Sequence, residues 1–330
     1  MRRIKRAAIL DLGTNTFNLL IVDKDAASTF RILVNKRMPV KLGEGINSGE
    51  ISPAAYKRGI DAIETYFSII KEHKPDVIKA FGTSAFRTAN NGSNFLAEIK
   101  AKTGVEIEII PGEKEAELIY KGVKQSLHFK NEKFVILDIG GGSNELIIAD
   151  MNKIYWKKSY PLGIARLIEK FQPSDPLTPD EIKNIYAYLT EHLQDLLEQL
   201  KNHKIEIFVG ASGSFETFVT MLKQIEVTDW ECTIQEISTE LDINSYHILH
   251  KKLEESTFEE RKAMKGLEPM RIEMIVLASL FVKFILDNHN FKRLIQSNYS
   301  LKEGAVTELI MNPASSNCRF AVTYDSRASV

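Results

Sequence analysis

One pattern is written twice in this chain. Ala8-Ile-Leu-Asp11-Leu-Gly13 and, far downstream, Phe134-Val-Ile-Leu-Asp138-Ile-Gly140 are each an apolar run closed by Asp, an aliphatic residue and Gly. A second apolar run follows each, Phe17–Val22 or Leu146–Ala149. Two apolar runs about a polar, glycine-bearing turn predict a β-hairpin. The repeat therefore predicts two similar α/β domains, each opening with a hairpin, with a boundary and hinge near 125–132. A length of 330 residues leaves room for about two domains.

Between and after the hairpins the periodicity alternates. Phe30–Val34, Val77–Phe81, Val105–Ile110 and Ile205–Val209 read as strands. Pro53–Glu72, Phe95–Thr103, 113–125, Phe215–Leu222, Thr178–Lys201, Asn244–Glu254 and Arg271–Asn288 read as helices, and 313–330 as a poorly packed tail. The longest apolar stretch, Ile272–Leu286, carries Glu273 and Lys283. It falls short of the roughly 20 residues needed to span a bilayer, and suits a core or an interface equally. The basic start MRRIKR is followed by an apolar run that stops at Asp11, too short for a secretory signal. With two cysteines far apart, Cys232 and Cys318, the expectation is a cytoplasmic protein. Lys plus Arg number 43 against 44 Asp plus Glu. A nucleic-acid-coating protein carries a clear basic excess, so no nucleic acid and no membrane is expected as partner, and any polyanion must be held by a local site.

Several segments suit phosphate. The turn Asp11-Leu-Gly13-Thr14-Asn15-Thr16 groups short hydroxyls with backbone N–H groups. In Asp138-Ile-Gly140-Gly141-Gly142-Ser143-Asn-Glu145, three glycines let the backbone wrap an anion. The flanking carboxylates Asp138 and Glu145 are the hard oxygen ligands Mg²⁺ takes while bridging to phosphate. Gly210-Ala-Ser212-Gly213-Ser214 joins a strand to a helix, a junction that aims N–H groups at an anion. Gly82-Thr-Ser-Ala-Phe-Arg87 ends a strand with hydroxyls and an arginine suited to phosphate oxygens. Glu113, Glu115 and Glu117 crowd one helix start, and spacing alone does not choose a water-activating base among them. His247 and His250, three apart, read as helix surface, and no His-x-x-x-His metal pair exists.

Taken in order, DLGTNT, GTSAFR, PGEKEAELIYKG, DIGGGSNE, PLGIARL, GASGS and LKEG resemble the exopolyphosphatase / guanosine pentaphosphate phosphohydrolase family from about Ala7 to Glu308. The resemblance implies two actin-like (ribonuclease H-like) α/β domains with a cleft between them, of the acetate/sugar kinase–actin superfamily, in the short two-domain form. It implies domain I over 1–125, completed by a C-terminal helix near 301–312, and domain II over 126–300. It implies Mg²⁺-dependent release of the terminal phosphate from inorganic polyphosphate, guanosine pentaphosphate or both, and a possible homodimer. Site roles follow by motif position. Glu115 matches the catalytic base and Arg87 the arginine that offsets charge on the terminal phosphate. Asp138 and Glu145 match the metal carboxylates. Asp11, Gly13, Thr14, Asn15, Gly140, Gly141, Gly142, Ser143, Gly210, Ser212, Gly213 and Ser214 match the phosphate-binding turns. Lys114, Glu117, Asn144, Tyr299 and Lys302 depart from the family pattern. A non-catalytic polyphosphate or alarmone sensor, or an ATP-dependent kinase of the same fold, are the alternatives.

Overall fold

The computed structural model describes residues 4–25, 30–45, 48–129, 131–224, 234–235 and 237–310; the tail at 313–330 lies outside them. The chain divides into two units, Met1–Gln125 with Gly140–Gly142 and Tyr299–Val330, and Ser126–Ile139 with Ser143–Asn298.

In the first unit, β1 (Arg6–Leu12), β2 (Thr16–Lys24) and β3 (Phe30–Pro39) form an antiparallel meander. Then come α1 (Pro53–His73), β4 (Val77–Gly82), α2 (Ser84–Thr88), α3 (Gly92–Thr103), β5 (Ile107–Ile109) and α4 (Gly112–Val123). β4 pairs parallel to β1 and β5 parallel to β4, so the sheet runs β3-β2-β1-β4-β5. α1 starts where Ser52 accepts a hydrogen bond from Ala55 N just ahead of Pro53, a favourable start because proline there forfeits no helical hydrogen bond. It ends at Lys74, whose left-handed backbone returns its N–H to Ile70 O.

The second unit repeats the plan. β6 (Phe134–Ile139), β7 (Asn144–Ala149) and β8 (Ile154–Tyr160) form its meander, followed by α5 (Ile164–Phe171), α6 (Pro179–His192), α7 (Gln194–Asn202), β9 (Ile207–Ala211) and α8 (Gly213–Leu222). β10 (Ile234–Gln235), β11 (Ser238–Leu241), α9 (Ile243–Glu254), α10 (Phe258–Lys262), α11 (Ile275–Asn288) and β12 (Arg293–Ser297) complete it. The sheet order β10-β11-β12-β9-β6-β7-β8 contains β8-β7-β6-β9-β12, the counterpart of the first sheet with the same parallel and antiparallel pairings. These are two mixed α/β sheets of the actin-like, ribonuclease H-like type. α12 (Leu301–Ile310) returns to the first unit and packs on α4. The helices cross at two glycines: a Cβ on Gly122 would fall 1.9 Å from Ser300 O, and one on Gly304 1.8 Å from Leu118 O. Neither could carry a side chain without moving backbone.

Three helix expectations need correction. Thr178–Lys201 is two helices, because Leu193 leaves helical geometry (φ −110°, ψ 18°) while staying fully buried. Leu189, Leu193, Leu196 and Leu200 lie in one core on both sides of the break. α11 begins at Ile275, not Arg271, after a 3₁₀ turn at Pro269–Arg271. Its residues from Ile275 to Val282 are buried in the core of the second unit, so this apolar stretch is core. His250 is not on the surface. It lies buried, its Nδ1 3.1 Å from Ser279 Oγ of α11 and its Nε2 3.1 Å from Glu254 Oε2. Burial, with Lys283 and His247 adding to it, pushes its ring down to about 4, so it stays neutral near pH 7. Among the described residues no helix is long and apolar enough to cross a membrane.

Candidate active site

The first hairpin makes its turn at Gly13, whose N–H donates to Thr16 O at 3.0 Å. A Cβ there would lie 2.8 Å from that oxygen, so only glycine fits. The loop after β3 backs the turn. Val40 N and Lys41 N donate to Asn15 O at 2.8 and 3.0 Å, and Gly43 N donates to Thr14 O at 3.1 Å. Asn18, opposite Asp11 across the hairpin, donates to Asp11 Oδ2 at 2.9 Å. Within the same unit the Gly140–Gly142 turn presses on these residues. A Cβ on Gly141 would meet the Asn15 amide at 2.6 Å, and one on Gly142 would meet Thr14 Oγ1 at 2.5 Å and Ser84 Oγ at 2.6 Å. Thr14 is 3% exposed and, among the described residues, its Oγ1 has no hydrogen-bond partner. A buried hydroxyl left unpaired costs about 1–3 kcal/mol, a cost an incoming phosphate oxygen would remove. Ser84 belongs to this cluster and escaped the sequence reading as an individual residue. Its signal was the GTSAFR segment, where hydroxyls stand beside Arg87.

Of the three acids at the start of α4, the fold treats each differently. Glu113 is exposed, Glu117 is half-buried with Lys114 Nζ at 4.0 Å, and Glu115 is 8% exposed. Glu115 Oε2 lies 2.7 Å from Arg87 Nη1, which also donates to Ile110 O at 2.9 Å. The helix N-terminus favours the carboxylate as well. Lys114, next to Glu115 in sequence, is turned away. Its Nζ lies 2.7 Å from Glu308 of α12, and Lys121 pairs with the same carboxylate. Burial pushes the Glu308 carboxyl up, but the two ammonium groups outweigh it and hold it below its ordinary value. The departure at Lys114 is thus matched by an acid 194 positions away. Lys302 donates to Asn35 Oδ1 at 3.0 Å, and Tyr299 is buried against Phe30.

In the second unit, Asp138 and Glu145 are direct partners across β6 and β7 and so share one face of the sheet. They are 9% and 2% exposed, and Ser159 Oγ donates to Glu145 Oε1 at 2.7 Å. Among the described residues no group of three or more His, Cys, Asp or Glu could form a protein-only metal cage. Two buried carboxylates still fit Mg²⁺, which keeps waters and takes few protein ligands. Asn144 directs its amide to Leu162 O at 2.9 Å, a structural bond to the segment that precedes α5. Ser143 is buried.

The Gly210–Ser214 junction divides between packing and site. A Cβ on Gly210 would lie 2.1 Å from the Phe215 ring, so this glycine is required by the core. Gly213 and Ser214 begin α8. Ser212, just before them, has φ 71° and ψ 175°, a region almost reserved for glycine. Its Oγ donates to Ile139 O at 3.1 Å, tying the junction to the end of β6. Strain of this kind is stored where structure over-determines it. Ser212→Ala keeps the strain and loses the bond, whereas Ser212→Gly loses both. The Gly variant is therefore expected to be the more stable by about 1–2 kcal/mol after its own entropy cost. Thermal melts check this; an Ala variant melting as high as the Gly variant means that no strain is stored there.

Two hairpin-led mixed α/β sheets, each with the same strand pairings, define a protein of the actin-like class. The Ppx/GppA phosphatase family matches residues 20–312, and the chain belongs to that family. A crystal structure of an exopolyphosphatase from Cytophaga hutchinsonii is 34% identical with a TM-score of 0.88, covering 93% of this chain and 98% of that one. The PPX-GPPA enzyme of Aquifex aeolicus is 26% identical with a TM-score of 0.76, over 92% and 99% of the two chains. Among curated proteins, a bifunctional 3-dehydroquinate synthase/phosphatase of Fusobacterium nucleatum is 32% identical over 323 residues, 92% of this chain and 46% of that protein. A guanosine-5'-triphosphate,3'-diphosphate pyrophosphatase of Photobacterium profundum is 27% identical over 304 residues, 92% of this chain and 59% of that protein. The chain spans about half the length of these two curated relatives.

Proposed function

We propose that this protein is a Mg²⁺-dependent phosphohydrolase that releases the terminal phosphate of inorganic polyphosphate, guanosine pentaphosphate or both. The observation that carries the reading is the Glu115–Arg87 pair: one acid of three is buried and held 2.7 Å from a guanidinium, on a chain of a phosphatase family. Glu115 orients the attacking water and accepts its proton. Arg87 offsets charge on the terminal phosphate, where a guanidinium can form two parallel hydrogen bonds. The turns at Gly13–Asn15 and Gly140–Ser143, with Ser212–Ser214, hold phosphate oxygens through N–H and hydroxyl groups. Asp138 and Glu145 would hold Mg²⁺, which supplies charge neutralisation on the phosphoryl group. Phosphoryl transfer needs little covalent help from protein, so positioning and electrostatics do most of the catalysis.

The test is phosphate release from short polyphosphate, long polyphosphate and guanosine pentaphosphate, each with Mg²⁺ and with EDTA. Release from at least one is expected, falling at least about 100-fold on chelation, or about 2.7 kcal/mol of barrier. Saturable binding of all three with no release would overturn the hydrolase reading.

A further inference from the structure

Four non-glycine residues among the described residues have a positive φ: Lys41 (46°), Lys74 (48°), Gln172 (41°) and Ser212 (71°). Such backbone is uncommon for a residue with a Cβ. Lys74 and Gln172 end α1 and α5, where a left-handed residue closes the helix. Ser212 opens α8 at the phosphate-binding junction. Lys41 ends no helix. It lies two residues past the end of β3 and donates its backbone N–H to Asn15 O at 3.0 Å, in the turn that also carries the Thr14 hydroxyl, unpartnered among the described residues. The backbone around it is clamped. Arg58 of α1 donates from Nε to Val40 O at 3.0 Å and from Nη2 to Lys41 O at 3.3 Å, and pairs with Glu44 at 2.6 Å. A glycine or asparagine would take this conformation at lower cost, yet a long cationic side chain stands there, on the strand-end loop that backs the hairpin turn.

We propose that Lys41 is a phosphate-contacting residue, its ammonium meeting an oxygen of an inorganic phosphate chain seated at the Gly13–Asn15 turn, and that Arg58 is its positioning residue. This rests on the phosphohydrolase reading and extends it. The strained backbone fixes where the lysine leaves the chain, and Arg58 fixes that backbone by holding both flanking carbonyls. Lysine acts at phosphate as a point charge on a flexible stem, so arginine can replace it, whereas a neutral residue cannot.

The probe is sodium tripolyphosphate, bound to the full chain with EDTA present and followed by calorimetry. Lys41→Gly and Lys41→Asn both accept left-handed backbone, so each should melt no lower than wild type while binding at least 10-fold more weakly. Lys41→Arg should bind within 3-fold of wild type. Lys74→Gly, at the other left-handed lysine, should relax the fold equally and leave binding unchanged. Wild-type affinity in both neutral variants, or no tripolyphosphate binding by wild type, overturns the proposal. The two readings fail separately. Charge-dependent binding at Lys41 without phosphate release from any substrate would overturn the hydrolase and keep this site. Phosphate release with binding indifferent to Lys41 would do the reverse.

Discussion

Phosphate release falls at least about 100-fold when Glu115 is replaced by Gln, with KM within about 3-fold of wild type; such a drop in kcat corresponds to about 2.7 kcal/mol of transition-state stabilisation. The amide keeps the volume of the carboxyl and can still accept a hydrogen bond from Arg87 Nη1, now 2.7 Å away. What it loses is the capacity to take a proton from water. The substitution therefore isolates base chemistry from packing. Glu113→Gln and Glu117→Gln provide the comparison, since these acids sit in the same helix start but are not buried. Each should leave release within about 3-fold of wild type, because a carboxylate still in reach of water, exposed at Glu113 and half-buried at Glu117, contributes little beyond the helix dipole. Steady-state kinetics on the three variants decide the matter. Equal losses at all three positions would point to general destabilisation of α4, and an unimpaired Glu115→Gln would remove it from the chemistry.

Gly304→Ala lowers the melting temperature by about 5 °C or more and carries activity down with it. On an isolated helix the same change would stabilise by about 1 kcal/mol. Here the new methyl would sit 1.8 Å from Leu118 O and 3.0 Å from Gly122 N. Both contacts are backbone inside α4, so no side-chain rotation relieves them and α12 must move away. Overpacking of this sort costs typically 1–3 kcal/mol and more where backbone is struck, which a few degrees per kcal/mol converts to the stated shift. Activity follows because α4 carries Glu115 at its start and is held to α12 again through Lys114, Lys121 and Glu308. Gly122→Ala, 1.9 Å from Ser300 O, should behave alike. A Gly304→Ala protein melting within about 1 °C of wild type would mean that this helix crossing is loose.

The hairpins were legible because Asp-x-Gly after an apolar run is a local statement. A strand can be read only up to its end, and a turn only from the residues in it. The parallel additions β4, β5 and β9 have the right character in sequence, whereas β12 has no counterpart among the strands expected from sequence, and the order of all four in the sheet is set by long-range pairing. Features that rest on distant partners stayed hidden. Glu308 gives no sign in sequence that it answers Lys114, and the burial of His250 depends on Ser279 of another helix. Gly210 looked like part of an anion loop, whereas the Phe215 ring is reason enough for it. Among the acids of α4, spacing was silent because Glu113, Glu115 and Glu117 crowd within five residues of one helix start. Burial and Arg87 distinguish them, and both arrive only with folding.

The return of α12 to α4 also sets an order of assembly on the ribosome. The first unit leaves the exit tunnel early but lacks the helix that covers the Gly122 face of α4 until residue 310 has been made. At the usual pace of synthesis, the intervening stretch of roughly 190 residues takes on the order of 10–40 s. Throughout that interval, the first unit presents an incomplete core to chaperones. The inserted unit has every strand of its own sheet in continuous sequence apart from the short Gly140–Gly142 turn. It is the part able to finish first, although it is the part made second.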